Sequence, residues 1–194
     1  SALLSEDALK LKNIPKLADI ENMSKLLRNY GATIKSNRDN IEINCKKITN
    51  KDADYDIVRK MRASILILGP LLSRFGKAKI SLPGGCAIGT RPVNLHLYAL
   101  KKLGAKIKIK NGYIIAEAKN GLKGANISFP SVSVGATENA VLAAFNAHGK
   151  TILNNCAIEP EVKDLCNFLN KAGCKIKWLD KRKIQIDGVK NLKN

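Results

Sequence analysis

Three stretches of this chain, SKLLRNYGATIK, LYALKKLGAKIK and CNFLNKAGCKIK, follow one pattern. Each ends a helical run at a glycine and then enters a strand that closes on Ile-Lys. The glycines are Gly31, Gly104 and Gly173, about 70 residues apart. Glycine is the expected residue just past a helix end, where the chain turns left-handed. A polar turn and a second strand follow each time: SNRDN then IEINC, KNG then YIIAEA, LDKRK then IQIDG. A period of this length restricts the chain to a repeat of one supersecondary unit.

The unit extends backwards as well. Short strands precede the three helices, in ALKLKN, AKISLP and KTILNN. Two of these strands follow long apolar segments, YDIVRKMRASILILGPLLSRFG and GATENAVLAAFNAHG, which lack a broad polar face and are expected as buried central helices. Gly69-Pro70 is expected to kink or interrupt the first of them. The predicted unit is therefore helix, strand, helix, hairpin. In this register the first copy is short, with SALL as the tail of its buried helix, so the chain reads as one domain, 1–194, of a longer protein.

The three strand-to-helix connections differ. From Leu9 to Gly31 is 22 residues and from Ile152 to Gly173 is 21, but from Ile80 to Gly104 is 24. The additional residues fall in PGGCAIGT. A lengthened connection is either a neutral insertion or a functional loop. Gly84, Gly85 and Gly89 would let this backbone approach a ligand closely. Arg91 precedes Pro92 and is expected to be extended, with Pro92 opening a helix that runs to Leu103. A guanidinium at a helix start suits a phosphate or carboxylate, and its charge favours the thiolate of Cys86. Cys86 is thus a reactive centre or a small apolar filler. SVSVGATENA again brings small residues to a helix start, with free N–H groups expected from Ser133 to Ala136. Arg62 interrupts an apolar helix, where it requires an anionic partner or must reach solvent.

Composition narrows the classes. The net charge of +18 comes mainly from 27 lysines, which suit a solvated surface or attraction to anions. No run of five basic residues occurs and there are nine aromatics, which disfavours a basic nucleic-acid-binding module, the alternative reading. The five cysteines, at 45, 86, 156, 166 and 174, form no CxxC pair or Cys/His cluster, so no metal and no disulfide framework is expected. ASILILGPLL, the longest apolar run, has half the roughly 20 residues a membrane span needs. The chain reads as cytoplasmic, with no membrane and no nucleic-acid partner.

Taken together, MRASILILGPLLSRFG, SLPGGCAIGTRPVNLHLYALKKLGA and SVGAT resemble the UDP-N-acetylglucosamine enolpyruvyl transferases, in order and over nearly the whole chain. The related shikimate-pathway transferases are similar in fold but lack the cysteine loop. The resemblance implies an α/β fold, an inside-out barrel of three βαβαββ units with helices inside and sheets outside. It implies transfer of the enolpyruvyl group of phosphoenolpyruvate to the 3′-hydroxyl of UDP-N-acetylglucosamine, with release of phosphate, the first committed step of peptidoglycan synthesis. No cofactor is implied. Cys86 matches the family's proton donor and fosfomycin target, and Arg91 the arginine that clamps the phosphoenolpyruvate phosphate. Arg62, the stretch Arg91, Pro92, Val93, Asn94 and Leu95, and the stretch Ser131, Val132, Ser133, Val134 and Gly135 match residues that bind the nucleotide sugar. Asn94 stands where many members have aspartate, and Ser131 where many have lysine. The family's Lys-Asn pair and its general base would come from a preceding strand and from a second domain of the same full-length chain. Another transferase of the same architecture is the remaining alternative.

Overall fold

The computed structural model describes residues 1–49, 58, 61–82 and 93–189. Within them the sequence repeat becomes three strand–helix–hairpin units. The first comprises β1 (Leu9–Leu11), α1 (Ala18–Asn29), β2 (Thr33–Asn37) and β3 (Asn40–Asn44). An α-helix, α2 (Leu68–Phe75), leads into the second unit: β4 (Lys77–Ser81), α3 (Asn94–Lys102), β5 (Lys106–Lys110) and β6 (Tyr113–Glu117). A short strand, β7 (Asn126–Ser128), and α4 (Val134–Ala144) lead into the third: β8 (Lys150–Asn154), α5 (Pro160–Lys171), β9 (Lys175–Asp180) and β10 (Lys183–Asp187).

Every unit makes the same sheet. The last strand of the hairpin lies in the middle, antiparallel to both others, giving the orders β1-β3-β2, β4-β6-β5 and, with β7 added parallel to β8, β7-β8-β10-β9. Every unit also stops its helix in the same way. Gly31, Gly104 and Gly173 have φ of 104°, 94° and 96°. Their N–H groups donate to Arg28, Lys101 and Asn170, while the next residue donates back to Leu27, Leu100 and Leu169. This paired turn needs a left-handed residue, which is why the glycine recurs.

Burial follows the predicted layering. The sheets alternate, with one face outward: Ile80 pairs with Ile114 and Leu153 with Ile184, all four fully buried, whereas the lysines between them face solvent. The centre belongs to α2 and α4. Leu68, Leu71 and Leu72 of α2, and Ala140, Val141 and Ala143 of α4, have no exposed surface. The two helices pack closely because alanine and glycine line their contact, and Gly69 lies directly against Asn139. Arg74, at the end of α2, fastens the first unit to this centre. Its Nη1 donates to the carbonyls of Leu3 (3.1 Å), Ser5 (3.0 Å) and Cys45 (2.8 Å).

Two sequence expectations require correction. The segment before β4 is not one kinked α-helix: Arg62–Ile67 is a 3-10 helix, and α2 begins after it at Leu68. Gly69-Pro70 therefore starts a helix instead of interrupting one. Pro70 is the third residue of α2, where an N–H would have no intrahelical acceptor, so its missing donor costs nothing there. Arg62 correspondingly opens a helix and does not sit inside one. Likewise α3 starts at Asn94 with Val93 as its cap, two residues later than expected, and ends before Leu103.

Candidate functional site

Arg62, α3 and the start of α4 converge on one place. Ser133 caps α4 with its Oγ, which accepts the N–H of Ala136 (3.3 Å), and its carbonyl accepts the N–H and Oγ1 of Thr137. The expectation of free N–H groups up to Ala136 is thus corrected: the cap occupies that donor. Val134 and Gly135, in the first turn, have no intrahelical acceptor by helix geometry. Ser131 and Val132 lead in from the exposed surface, while Ser133, Val134 and Gly135 are half-buried. The start of a helix concentrates positive potential, and α4 directs it here.

Against this start lies His96 of α3. Its imidazole faces Gly135, so that a Cβ on Gly135 would come within 3.1 Å of Cε1 and 3.5 Å of Nε2. A side chain here would require the imidazole to give way by a few tenths of an ångström. Burial, and secondarily the charge of nearby Arg62, lower the His96 pKa from 6.5 to about 4, so the ring is neutral at physiological pH. The other ring nitrogen meets the Asn139 side chain. Asn139 Nδ2 lies 3.2 Å from His96 Nδ1 and donates to the Ile65 carbonyl (3.2 Å), while Oδ1 accepts the N–H of Gly69 (2.9 Å). One buried amide therefore joins the 3-10 helix, α2, α3 and α4. Tyr98 adds a further tie, donating from its hydroxyl to the Ser128 carbonyl at the end of β7 (3.1 Å).

Of the residues expected from sequence, Arg62, Val93, Asn94, Leu95 and Ser131 to Gly135 belong to this region, with Arg62, Val93 and Leu95 half-buried and Asn94 exposed. Cys86, Arg91 and Pro92 lie outside the described residues. His96 and Asn139 were not anticipated. Their signal was present: each is a polar residue placed among apolar neighbours on a helix. The arrangement suits an anion, since it offers helix N–H groups, a neutral imidazole and a guanidinium. A separate cavity of about 300 Å³, beside Leu3, Leu11, Leu27, Leu66 and Glu138, has the opposite character. Its walls are mostly apolar, and burial and the charge of Glu161 raise the Glu138 pKa. Among the described residues, no group of His, Cys, Asp and Glu is placed to hold a metal, and no helix is long and apolar enough to cross a membrane.

Comparison with known proteins accords with this geometry. The family model for EPSP synthase (3-phosphoshikimate 1-carboxyvinyltransferase) matches residues 1–194. The UDP-N-acetylglucosamine 1-carboxyvinyltransferase of Pelagibacter ubique is 58% identical over 193 residues, covering 100% of this chain and 46% of the relative. Its counterpart in Rickettsia bellii is 53% identical over 196 residues (99% and 47%), and that in Campylobacter fetus 52% over 187 (96% and 45%). The chain spans about half the length of these relatives. Among solved structures, the enolpyruvyl transferase NikO from Streptomyces tendae superposes with a TM-score of 0.83 at 18% identity, over 100% of this chain and 46% of that one. EPSP synthase from Acinetobacter baumannii gives 0.77 at 17%, over 100% and 44%. At such identities these two structures speak to the fold, an α/β arrangement of the enolpyruvyl transferase type.

Proposed function

The chain belongs to the EPSP synthase family of carboxyvinyltransferases, and from that premise we propose that it is one domain of an enzyme that transfers enolpyruvate from phosphoenolpyruvate to the 3′-hydroxyl of UDP-N-acetylglucosamine. The observation that carries this reading is the start of α4 beside His96 and Arg62, an anion site made from the stretch that resembles the nucleotide-sugar segment. The identity to UDP-N-acetylglucosamine 1-carboxyvinyltransferases supports this substrate over that of the shikimate enzymes. A solvated lysine-rich surface needs no nucleic acid to explain it.

In the proposed reaction the sugar 3′-oxygen bonds to C2 of phosphoenolpyruvate, while Cys86 gives its thiol proton to the methylene carbon C3. Return of a proton from C3 to the thiolate left on Cys86, with cleavage of the bond between C2 and the phosphate oxygen, then releases inorganic phosphate and forms the enol ether product. Arg91 stabilises the phosphate charge through departure. The 3′-hydroxyl proton needs a base, and the roles above leave that base to a second domain of the full-length protein, which acts in the cytoplasm. The test is phosphate release from the two substrates by the full-length enzyme, followed by fosfomycin treatment and peptide mapping. Substrate-dependent phosphate release and an adduct on Cys86 support the reading. Release with shikimate 3-phosphate in place of the nucleotide sugar would overturn it.

A further inference from the structure

The repeat allows its three sheet edges to be compared within one molecule. In every unit the first strand of the hairpin, β2, β5 or β9, lies at an edge of its sheet. In the first unit Arg28 Nη2 donates to the carbonyl of Ile34 (3.1 Å). In the third, Asn170 closes both backbone groups of Ile176: its Oδ1 accepts the N–H (2.7 Å) and its Nδ2 donates to the carbonyl (2.9 Å). Arg28 and Asn170 occupy the same repeat position, three residues before the glycine that ends the helix. The second unit has Lys101 there, and among the described residues no side chain bonds to the backbone of Ile107, the counterpart of Ile34 and Ile176.

The β5 edge is therefore left open. Asn111 and Gly112 have φ of 51° and 74°, the two positive values of a tight hairpin turn. Lys110 and Tyr113, on either side of it, form the hydrogen-bonded pair, and alternation along the ladder then directs the N–H and C=O groups of Ile107 and Ile109 away from β6. Exposure follows the same division. Ile34 and Ile176 are buried, whereas Ile107 is half-buried and Ile109 is 57% exposed. Side chains alternate too, with Lys106, Lys108 and Lys110 on one face and the two isoleucines on the other. Lysine on an edge guards against pairing with a second copy, since two antiparallel β5 strands would set lysine opposite lysine. It gives no protection against a strand of opposite charge.

We propose that the β5 edge takes up an extended segment of a partner protein, about five residues long, in which acidic and apolar residues alternate. Its backbone continues the sheet by bonding to Ile107 and Ile109. Its acidic side chains face the three lysines, and its apolar side chains cover Ile109.

The probe is a synthetic peptide, Glu-Val-Glu-Val-Glu with blocked ends, added to the full-length protein labelled with ¹⁵N-isoleucine. At saturation, amide exchange at Ile107 and Ile109 should slow roughly tenfold or more, as expected for backbone groups that gain hydrogen bonds. Added salt should weaken binding several-fold, and Lys-Val-Lys-Val-Lys should not bind. Lys101→Asn, which installs the closure found at Asn170, should weaken Kd roughly tenfold by satisfying Ile107 internally. Lys108→Glu, at an exposed position where folding is not at stake, should weaken it through charge. Failure of the Glu/Val peptide to bind, slowed exchange confined to other isoleucines, equal affinity for the two peptides, or an unchanged Kd in either variant would overturn the inference.

Discussion

At position 96 a neutral imidazole is maintained by burial, and that state has a measurable consequence for stability. The folded pKa, about 4, lies below the ordinary 6.5. As pH falls through 6.5 the unfolded chain takes up a proton that the folded chain refuses, so stability present above pH 6.5 is lost progressively down to about pH 4. The full difference is roughly 3 kcal/mol. His96→Gln cannot titrate, so urea unfolding at pH 7 and pH 4.5 should show a smaller acid loss for this variant than for the wild type. Thiol chemistry separates along the same line. Cys45, Cys156, Cys166 and Cys174 are buried. Burial raises all four thiols, Cys156 to about 12 and Cys166 and Cys174 to about 11. Nucleophilic attack requires the thiolate, so none of them should compete at neutral pH. Limiting iodoacetamide on the native protein should therefore label Cys86 first, and Arg91→Ala should slow that labelling. Peptide mapping that finds any of the other four ahead of Cys86 would refute the assignment of the reactive thiol.

Elements that depend on local chemistry were legible from residues alone. The three glycine turns, the hairpins and the burial of α4 all follow from period and polarity; the turns and hairpins hold to within a residue or two, while α4 ends at Ala144, about four residues before the expected end. Where tertiary contacts decide, the reading slipped. The 3-10 stretch Arg62–Ile67 has the same apolar pattern as an α-helix, and only its junction with Asn139, which takes the Ile65 carbonyl and the Gly69 N–H, distinguishes it. Nothing in the local sequence marks Arg74, which satisfies three carbonyls that flank the first unit on either side, those of Leu3, Ser5 and Cys45. Glycines show the same division. At Gly104 a Cβ meets nothing within 4 Å, so Gly104→Ala pays only for its left-handed backbone, about 1–2 kcal/mol. At Gly69 a Cβ would collide with the Asn139 side chain and, at 2.6 Å, with its backbone carbonyl. Gly69→Ala should cost roughly 3 kcal/mol or more, because it forces apart α2 and α4 and breaks the buried amide network. Chemical denaturation of the two variants decides this, and equal losses would show that α2 and α4 are not the tightly packed centre described.

For the whole molecule the relevant question is what this stretch of chain can do by itself. The chain spans about half of each relative, 46% of the Pelagibacter ubique enzyme. Its candidate site offers donors and positive charge: Arg62, helix N–H groups and an imidazole too depressed in pKa to act as a base near neutrality. Such a surface can hold an anionic substrate. None of the described residues named at the site is a carboxylate that could deprotonate the sugar hydroxyl, and Glu138 lines the apolar cavity. Binding and turnover should therefore come apart. Residues 1–194 should bind UDP-N-acetylglucosamine weakly, with an affinity that falls as salt screens the +18 net charge. They should release no phosphate from the substrate pair, since catalytic groups that act as a unit lose most of their effect when one is missing. Adding Cys86→Ser to this polypeptide should then leave nucleotide-sugar binding unchanged, whereas the same change in the full-length enzyme should reduce turnover strongly, because a hydroxyl is a much weaker acid than a thiol. Calorimetry and a phosphate-release assay on both lengths provide the comparison. Robust release by residues 1–194 would mean that a base exists within this domain and that the division of chemistry argued here is wrong.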